Sequence, residues 1–270
     1  VRADSLPKID LLVGGSPCQG FSKAGAGLNF EDPRSRLLFE YVRLLRELKP
    51  TQFLLENVKM KKEWQDVISE LVGVQPILIN SALVSAQNRE RYYWTNILDI
   101  QQPEDRGLVL KDILESGEVD RDKSYCIDAN YYKGGSWRDY QNKKRQQLVI
   151  TRQSEKRLMV KEVSGAALRY QETPRGREFQ LNVRGDEKSN AVVSGYSDRL
   201  NGVVVEQQYR KLTPLECERL QTVPDNYTSV VSNTQRYKAL GNAFTVDVIV
   251  HILKSIRVPC EEDSYFTARL

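Results

Sequence analysis

The sequence has no long hydrophobic run and few of the residues that build disulfide frameworks or metal sites. No stretch of its 270 residues approaches the roughly 18 apolar residues that a membrane-spanning helix needs. The four cysteines lie far apart without a Cys-x-x-Cys pair, and His251 is the single histidine. These absences argue against a membrane span, a disulfide scaffold and a zinc site, and they favour a reducing, cytoplasmic compartment.

Neither sign of charge dominates the chain, whose formal net charge is +4. The charge is uneven, however, because the segment from Lys133 to Lys161 holds nine Lys or Arg (133, 138, 143, 144, 145, 152, 156, 157 and 161) against the acids Asp139 and Glu155. A basic cluster of this kind suits a phosphate backbone, and an ordinary solvated surface is the alternative.

The first hundred residues alternate between strand and helix patterns. IDLLVGG is a short apolar run that ends in glycines, and apolar residues then recur at helical spacing from Leu37 to Leu48, until Pro50. TQFLLENV, PILINSALV and RYYWTNIL read as further strands, and KKEWQDVISELVG reads as a helix that ends at Gly73. This alternation predicts an α/β sheet with its sites at the carboxyl ends of strands.

The alternation stops near Gln101, where short β-like pieces such as QQLVIT, NAVVSGY and GVVVEQ are separated by turn residues. We expect residues 1–100 to form part of one domain and residues 101–232 to form a smaller, loop-rich domain. Residues 233–270 would return to the first domain. A capping box of Thr213 and Glu216 predicts a helix in LTPLECERLQ, and TVDVIVHILKSI predicts the last helix, after a turn at LGNAF.

Several polar residues follow the predicted strands. Cys18 comes after the first strand in a rigid, glycine-flanked loop, where a thiolate would be a nucleophile; a small buried thiol is the alternative. Glu56 and Asn57 end the next strand, and a desolvated carboxyl there could share a proton. Gln87, Arg89 and Arg91 alternate, so an extended segment would place all three on one face, unless they line a solvated edge strand.

Five motifs occur in order along the chain: SPCQGFS, ENV, QNRER, RKLTPLECERLQTVP and LGNAF. Each is weak alone. Together they resemble the cytosine-5 DNA methyltransferase family, of bacterial or phage type, over nearly the whole chain. The resemblance implies part of a Rossmann-like sheet that uses S-adenosylmethionine, with a target-recognition domain that binds double-stranded DNA.

The resemblance also implies a role for each candidate residue. Cys18 would add to carbon 6 of a flipped-out cytosine and so activate carbon 5 for methylation. Glu56 would hold the base, Arg91 its carbonyl, and Arg89 the active-site loop or a phosphate. Further substrate contacts would come from Pro17, Gln19, Ser22, Asn57 and Gln87. The cofactor would contact Gly15, Pro17, Leu37, Asn242 and Ala243, and no metal is implied.

The sequence departs from the family in one respect. The Phe-x-Gly-x-Gly loop that the family places before its Pro-Cys loop is absent, so an upstream segment or a separate subunit is expected to complete the cofactor site. Two alternatives stay open: a non-catalytic DNA-binding remnant or fragment, and a methyltransferase that acts on transfer RNA.

Overall fold

The computed structural model describes residues 2–15, 36–134, 140, 145–159, 167–173, 176–182, 192–194 and 201–256, with side chains at 2–15, 36–134, 140, 145–151 and 208–256. The chain divides into two compact units. Unit 1 comprises Val1–Leu108, Leu220–Val223 and Ala243–Leu270, and unit 2 comprises Val109–Arg219 and Pro224–Asn242. The assignment of these regions to catalysis and target recognition, with boundaries at 100 and 232, stays a prediction.

Five helices and nine strands are described. The helices are α1 (Arg36–Leu48), α2 (Lys62–Val72), α3 (Pro214–Leu220), α4 (Asn233–Asn242) and α5 (Val246–Leu253). The strands are β1 (Leu11–Gly15), β2 (Gln52–Val58), β3 (Ile77–Asn80), β4 (Glu90–Thr95), β5 (Leu148–Met159), β6 (Ala167–Thr173), β7 (Gly176–Asn182), β8 (Val192–Ser194) and β9 (Asn201–Lys211). Within the described ranges, no helix is long and apolar enough to cross a membrane.

Unit 1 is built on a mixed sheet with the strand order β1-β2-β4-β3. Strands β1 and β2 are parallel, whereas β4 runs antiparallel to both of its neighbours. The predicted α/β class is therefore confirmed. The antiparallel direction of β4 brings its amino end to the edge of the sheet where β1 and β2 have their carboxyl ends.

Alternating side chains of β2 pack into two apolar cores, one on each face of the sheet. Phe53 and Leu55 pack with α1 and α2 through residues such as Leu38 and Ile68. Leu54 lies on the other face and packs with α5. A strand buried on both faces must be apolar on both, which is why FLL is a continuous apolar run.

Unit 2 contains a five-stranded antiparallel sheet with the order β5-β9-β8-β7-β6. The predicted helix α3 begins with its capping box: the Glu216 amide donates to Thr213 Oγ1 at 3.1 Å, and the Thr213 amide donates to Glu216 Oε2 at 2.8 Å. Arg210 adds two bonds to the same carboxylate, each 2.7 Å long. A fully buried carboxylate is stable here because these donors satisfy it.

The turn predicted at LGNAF is shorter than expected, because α4 continues through Gly241 to Asn242 and only Ala243–Thr245 separate it from α5. A Cβ atom at Gly241 would lie 2.2 Å from the carbonyl carbon of Asp128. The glycine is therefore required by close backbone packing inside unit 2 rather than by a turn.

Candidate active site

Three strand ends meet at one edge of the unit 1 sheet. Gly15, the last residue of β1, pairs with Glu56 of β2. Val58, two residues further along β2, pairs with Arg91 near the start of β4. Because side chains alternate along a strand, Gly15, Glu56 and Arg91 share the face on which Leu54 and α5 lie.

The Glu56 carboxylate and the Arg91 guanidinium form an ion pair at this edge. Arg91 Nε lies 2.9 Å from Glu56 Oε1, and the side chains are only 13% and 12% exposed. The N–H is not directed at this oxygen, since Oε1 accepts no hydrogen bond from the described residues. The contact is therefore electrostatic, and Oε1 is itself buried in the described structure.

The two glycines of β1 lie close to side chains on the two faces of the strand. A Cβ atom at Gly14 would meet the Tyr41 ring at 2.8 Å. At Gly15 it would lie 3.2 Å from Glu56 Oε2 and 3.2 Å from Phe244 Cε1. Because Gly15 has no side chain, Glu56 and Phe244 can both approach the backbone at the end of β1, three residues before Cys18.

Gln87 and Arg89 lie on the buried side of the segment that leads into β4. Asn88 and Glu90 are exposed, so burial alternates as the spacing predicts. Arg89 Nη2 donates to the Ala243 carbonyl at 2.8 Å, and Gln87 Nε2 donates to the Leu220 carbonyl at 3.3 Å. Strand β4 lies between β2 and β3, so the edge-strand alternative for this segment is wrong.

A buried chain of hydroxyl and amide groups also bonds to the segments near residues 220 and 243, and the sequence did not predict it. Ser81 Oγ donates to Thr245 Oγ1 at 2.9 Å, and Thr245 Oγ1 donates to Gln221 Oε1 at 3.0 Å. Ser85 Oγ donates to the Leu220 carbonyl at 2.6 Å. These bonds fix residues 220–222 and 243–246 beside the site. Serine and threonine in a loop carry no sequence signal for partners more than 130 positions away.

Tyr93 lies on the same face of β4, opposite Glu56 in the strand register, and is 1% exposed. Burial, followed by the nearby Glu56 carboxylate, raises the pKa of this phenol well above its usual value. The Tyr93 side chain is consequently uncharged at neutral pH, and it does not transfer protons at this site.

Three other predicted site residues have distinct surroundings. Asn57 is buried on the opposite face of β2 from Glu56, and its Oδ1 accepts the Val58 amide at 2.8 Å. Leu37 is 54% exposed, so its expected place on the apolar face of α1 is wrong. Asn242 is exposed at the end of α4.

Pro17, Cys18, Gln19 and Ser22 lie outside the described residues. Most side chains of the basic cluster do too; only those of Lys133 and Arg145 are described. Within the part of the chain that has described side chains, no group of three or more His, Cys, Asp or Glu residues is arranged to hold a metal ion.

Comparison with known proteins identifies the family of this chain. The model of the C-5 cytosine-specific DNA methylase family matches residues 1–258. Three similar proteins are the type II methyltransferases M1.ScrFI of Lactococcus lactis subsp. cremoris and M.HhaI of Haemophilus parahaemolyticus, and the orphan methyltransferase M.SPRI of Bacillus phage SPR. Their identities to this chain are 31%, 29% and 29%, over 90%, 95% and 93% of its length.

The chain spans 61% of the length of M1.ScrFI, 78% of M.HhaI and 83% of M.SPRI. The family match nevertheless covers both the strand ends that form the Glu56–Arg91 site and the segment that carries Ala243 and Phe244. This chain therefore belongs to the C-5 cytosine-specific DNA methylase family.

Proposed function

We propose that the complete protein transfers a methyl group from S-adenosylmethionine to carbon 5 of cytosine in double-stranded DNA. The observation that carries the proposal is the Glu56–Arg91 ion pair, which lies beside Gly15, three residues before Cys18. An acid and a guanidinium side by side match the polar edge of a pyrimidine, which presents both donors and acceptors.

The residues have complementary tasks in this reaction. The Cys18 sulfur adds to carbon 6 of the cytosine, while Glu56 holds ring nitrogen 3 and the amino group. Arg91 holds the ring carbonyl. Carbon 5 then takes the methyl group, and the donor would be left as S-adenosylhomocysteine. Carbon 5 loses its proton to a base, and the electron pair of that C–H bond expels the sulfur. The target base must first leave the DNA stack, because a stacked pyrimidine cannot be reached from above.

S-adenosylmethionine supplies an electrophilic methyl group, and the described residues fit only part of such a molecule. The side chain of Asn242 is exposed and accessible to a ligand. The Ala243 carbonyl already accepts a hydrogen bond from Arg89, which leaves the Ala243 methyl group for the cofactor. Pro17 and Leu37 are further proposed contacts. We propose that an upstream segment or a separate subunit holds the rest of the cofactor.

DNA is the proposed partner rather than transfer RNA because the family that the chain matches is one of DNA methylases. The basic cluster from Lys133 to Lys161 supports this choice, since its charges would neutralise phosphates along a duplex.

Two substitutions test the proposal in the full-length protein. Cys18→Ala should abolish methyl transfer to DNA, because no other group would activate carbon 5. Glu56→Gln should slow transfer by about 100-fold to 10,000-fold, the usual contribution of a positioned acid. Transfer is measured as tritium from labelled S-adenosylmethionine that enters DNA.

Glu63→Gln is the matched control, because this exposed acid on α2 loses the same charge outside the site. Its activity should equal that of the unmodified protein. Normal transfer by Glu56→Gln would remove the proposed role of the acid. A full-length protein without any activity would instead favour a non-catalytic DNA-binding remnant.

A further inference from the structure

Three lysines from distant parts of the chain meet on one surface of unit 2. Lys133 ends a short helical turn at residues 131–133, Lys211 ends β9, and Lys238 lies on α4. The ammonium nitrogens of Lys133 and Lys238 lie 5.9 Å and 5.1 Å from the centroid of the same Tyr132 ring. Lys211 Nζ donates a hydrogen bond to the Tyr132 carbonyl at 2.7 Å. We call Lys133, Lys211 and Lys238 the lysine patch.

Two other tyrosines fix the backbone beneath the lysine patch. Tyr131 is 1% exposed, and its hydroxyl oxygen accepts the Leu212 amide at 2.9 Å. The Tyr237 hydroxyl donates to the Leu212 carbonyl at 2.8 Å, and the rings of Tyr131 and Tyr237 meet edge to face with centroids 5.7 Å apart. Lys211 Nζ lies 4.5 Å from the Tyr237 centroid. These contacts join the turn, the end of β9 and α4, so the fold itself brings the three lysines together.

No acid with a described side chain neutralises the lysine patch. The ion pairs described in unit 2 use arginines, at positions 121, 210, 219 and 236. Asp128, the exposed acid nearest to the turn along the chain, accepts the Asn130 amide at 2.8 Å. Positive charges that converge without an acid repel one another, so the lysine patch favours an external anion over a purely structural role.

The chemistry of the lysine patch fits a row of phosphates. Lys133 and Lys238 are exposed, and each ammonium group carries three N–H donors that a phosphate can accept. Lys133 is also the first residue of the basic cluster that runs to Lys161, and the lysine patch adds two lysines from outside that cluster. An acidic protein surface is the other class of partner. The long basic cluster and the membership of a DNA methylase family favour DNA.

We propose that the lysine patch binds the phosphate backbone of double-stranded DNA, with Lys133 and Lys238 as the contact residues. The inference rests on the proposed function, because it assigns a contact to the proposed substrate. Lys211 is a positioning residue, since its hydrogen bond fixes the backbone of Tyr132, whose ring lies under the two contact lysines. Such contacts orient a protein on DNA and carry no information about base sequence.

The test measures how DNA binding by the full-length protein depends on salt. Fluorescence anisotropy gives the association constant for two labelled duplexes of unrelated sequence, between about 50 and 200 mM salt. The double variant Lys133→Gln, Lys238→Gln should lower the slope of log K against log salt by about 2, which is about 1 for each lost phosphate contact. The loss of affinity should be equal for both duplexes. Lys133→Arg with Lys238→Arg keeps both charges and should keep the slope of the unmodified protein.

Lys8→Gln with Lys254→Gln is the matched control, because it removes two exposed lysines from unit 1. Its slope should equal that of the unmodified protein. The urea midpoint of the Lys133→Gln, Lys238→Gln variant should be unchanged, which excludes misfolding as the cause of weaker binding. An unchanged slope for this variant, or a loss equal to that of the control, would overturn the inference and favour an acidic protein as the partner. Loss of slope in a protein that transfers no methyl group would support the inference and contradict the proposed function.

Discussion

At the scale of single residues, burial distinguishes cysteines that the sequence presents alike. Cys217 lies on α3 and is 0% exposed, and burial, with a smaller effect of Glu216, raises the pKa of its thiol far above the usual range. It is therefore a protonated core residue with no nucleophilic role. Cys126 is partly accessible.

Alkylation of the native protein should reflect this difference. At neutral pH, iodoacetamide should modify Cys126 readily and leave Cys217 unmodified until denaturant is added, because only the thiolate reacts and Cys217 is both buried and protonated. Peptide mass spectrometry measures the modified fraction at each position. Rapid labelling of Cys217 in the native protein would show that unit 2 opens around α3.

The position of Glu56 was predictable at this scale, but its partner and surroundings were not. Glu56 ends an apolar run, and such runs end at a sheet edge. Arg91 begins β4, so its place beside Glu56 depends on the antiparallel direction of that strand, which the local pattern does not give. Phe244, Ser81 and Thr245 were missed because their contacts join segments far apart in the sequence. Periodicity reports which residues are buried and carries no information about such distant partners.

At the scale of elements, the strands and helices of unit 1 largely follow the sequence pattern, with two physical exceptions. The direction of β4 was not predicted, because alternation defines a strand and not its direction. The predicted third strand is short: β3 ends at Asn80, whose Oδ1 accepts the amides of Ala82 and Arg89 and so starts a turn. Strands β6 and β7 of unit 2 were also not found, because their polar sequences lack a clear alternation.

A second buried acid organises the segment after α3. Glu218 is 0% exposed. Its carboxylate accepts hydrogen bonds from the backbone amides of Asn226 and Thr228 and from the Thr228 hydroxyl. It also accepts a hydrogen bond from Arg236 Nη2 at 2.9 Å. Burial alone would raise its pKa, but the hydrogen bonds from Thr228 and Arg236 outweigh burial and lower the pKa below its usual value. The loop 224–232 thus depends on one ionised carboxylate.

This dependence predicts acid sensitivity. A carboxyl whose pKa is lower in the folded chain stabilises the fold above its unfolded pKa of about 4.5, and that contribution is lost as the pH falls through the folded value. Urea unfolding followed by circular dichroism should therefore show falling stability below about pH 4.5. Glu218→Gln should lose about 3–5 kcal/mol at neutral pH, because it leaves Arg236 without its buried partner, and should show a weaker acid response.

Asp225→Asn is the control for this experiment. Asp225 pairs with Arg219 in an exposed position, so its loss should hardly change the free energy of unfolding at neutral pH. An acid response of Glu218→Gln equal to that of the unmodified protein would show that another group controls the stability of this loop.

At the scale of the whole molecule, the candidate site is assembled from segments that the chain separates. Gly15, Glu56 and Arg91 come from the first hundred residues, while Phe244 and Ala243 belong to the segment that begins after unit 2 ends. Loop closure over such distances must be completed before these contacts form.

The composition of the whole chain excludes some classes of protein, but it does not identify the residues that carry the function. Four scattered cysteines and one histidine argued against a disulfide scaffold and a zinc site, and the family match over residues 1–258 shows the class of protein. Unit 2 carries the recognition role only as a proposal, because most side chains of its basic cluster lie outside the described residues.

The central claim is that the sulfur of Cys18 bonds transiently to carbon 6 of cytosine. The most direct measurement is mass spectrometry of the full-length protein after reaction with S-adenosylmethionine and a duplex in which 5-fluorocytosine replaces cytosine, because fluorine at carbon 5 cannot leave as a proton does. We expect the peptide that contains Cys18 to carry a methylated fluoropyrimidine nucleotide, and Cys18→Ala to carry none. An adduct on Cys126, or methylated DNA from a protein that never forms an adduct at Cys18, would contradict the account.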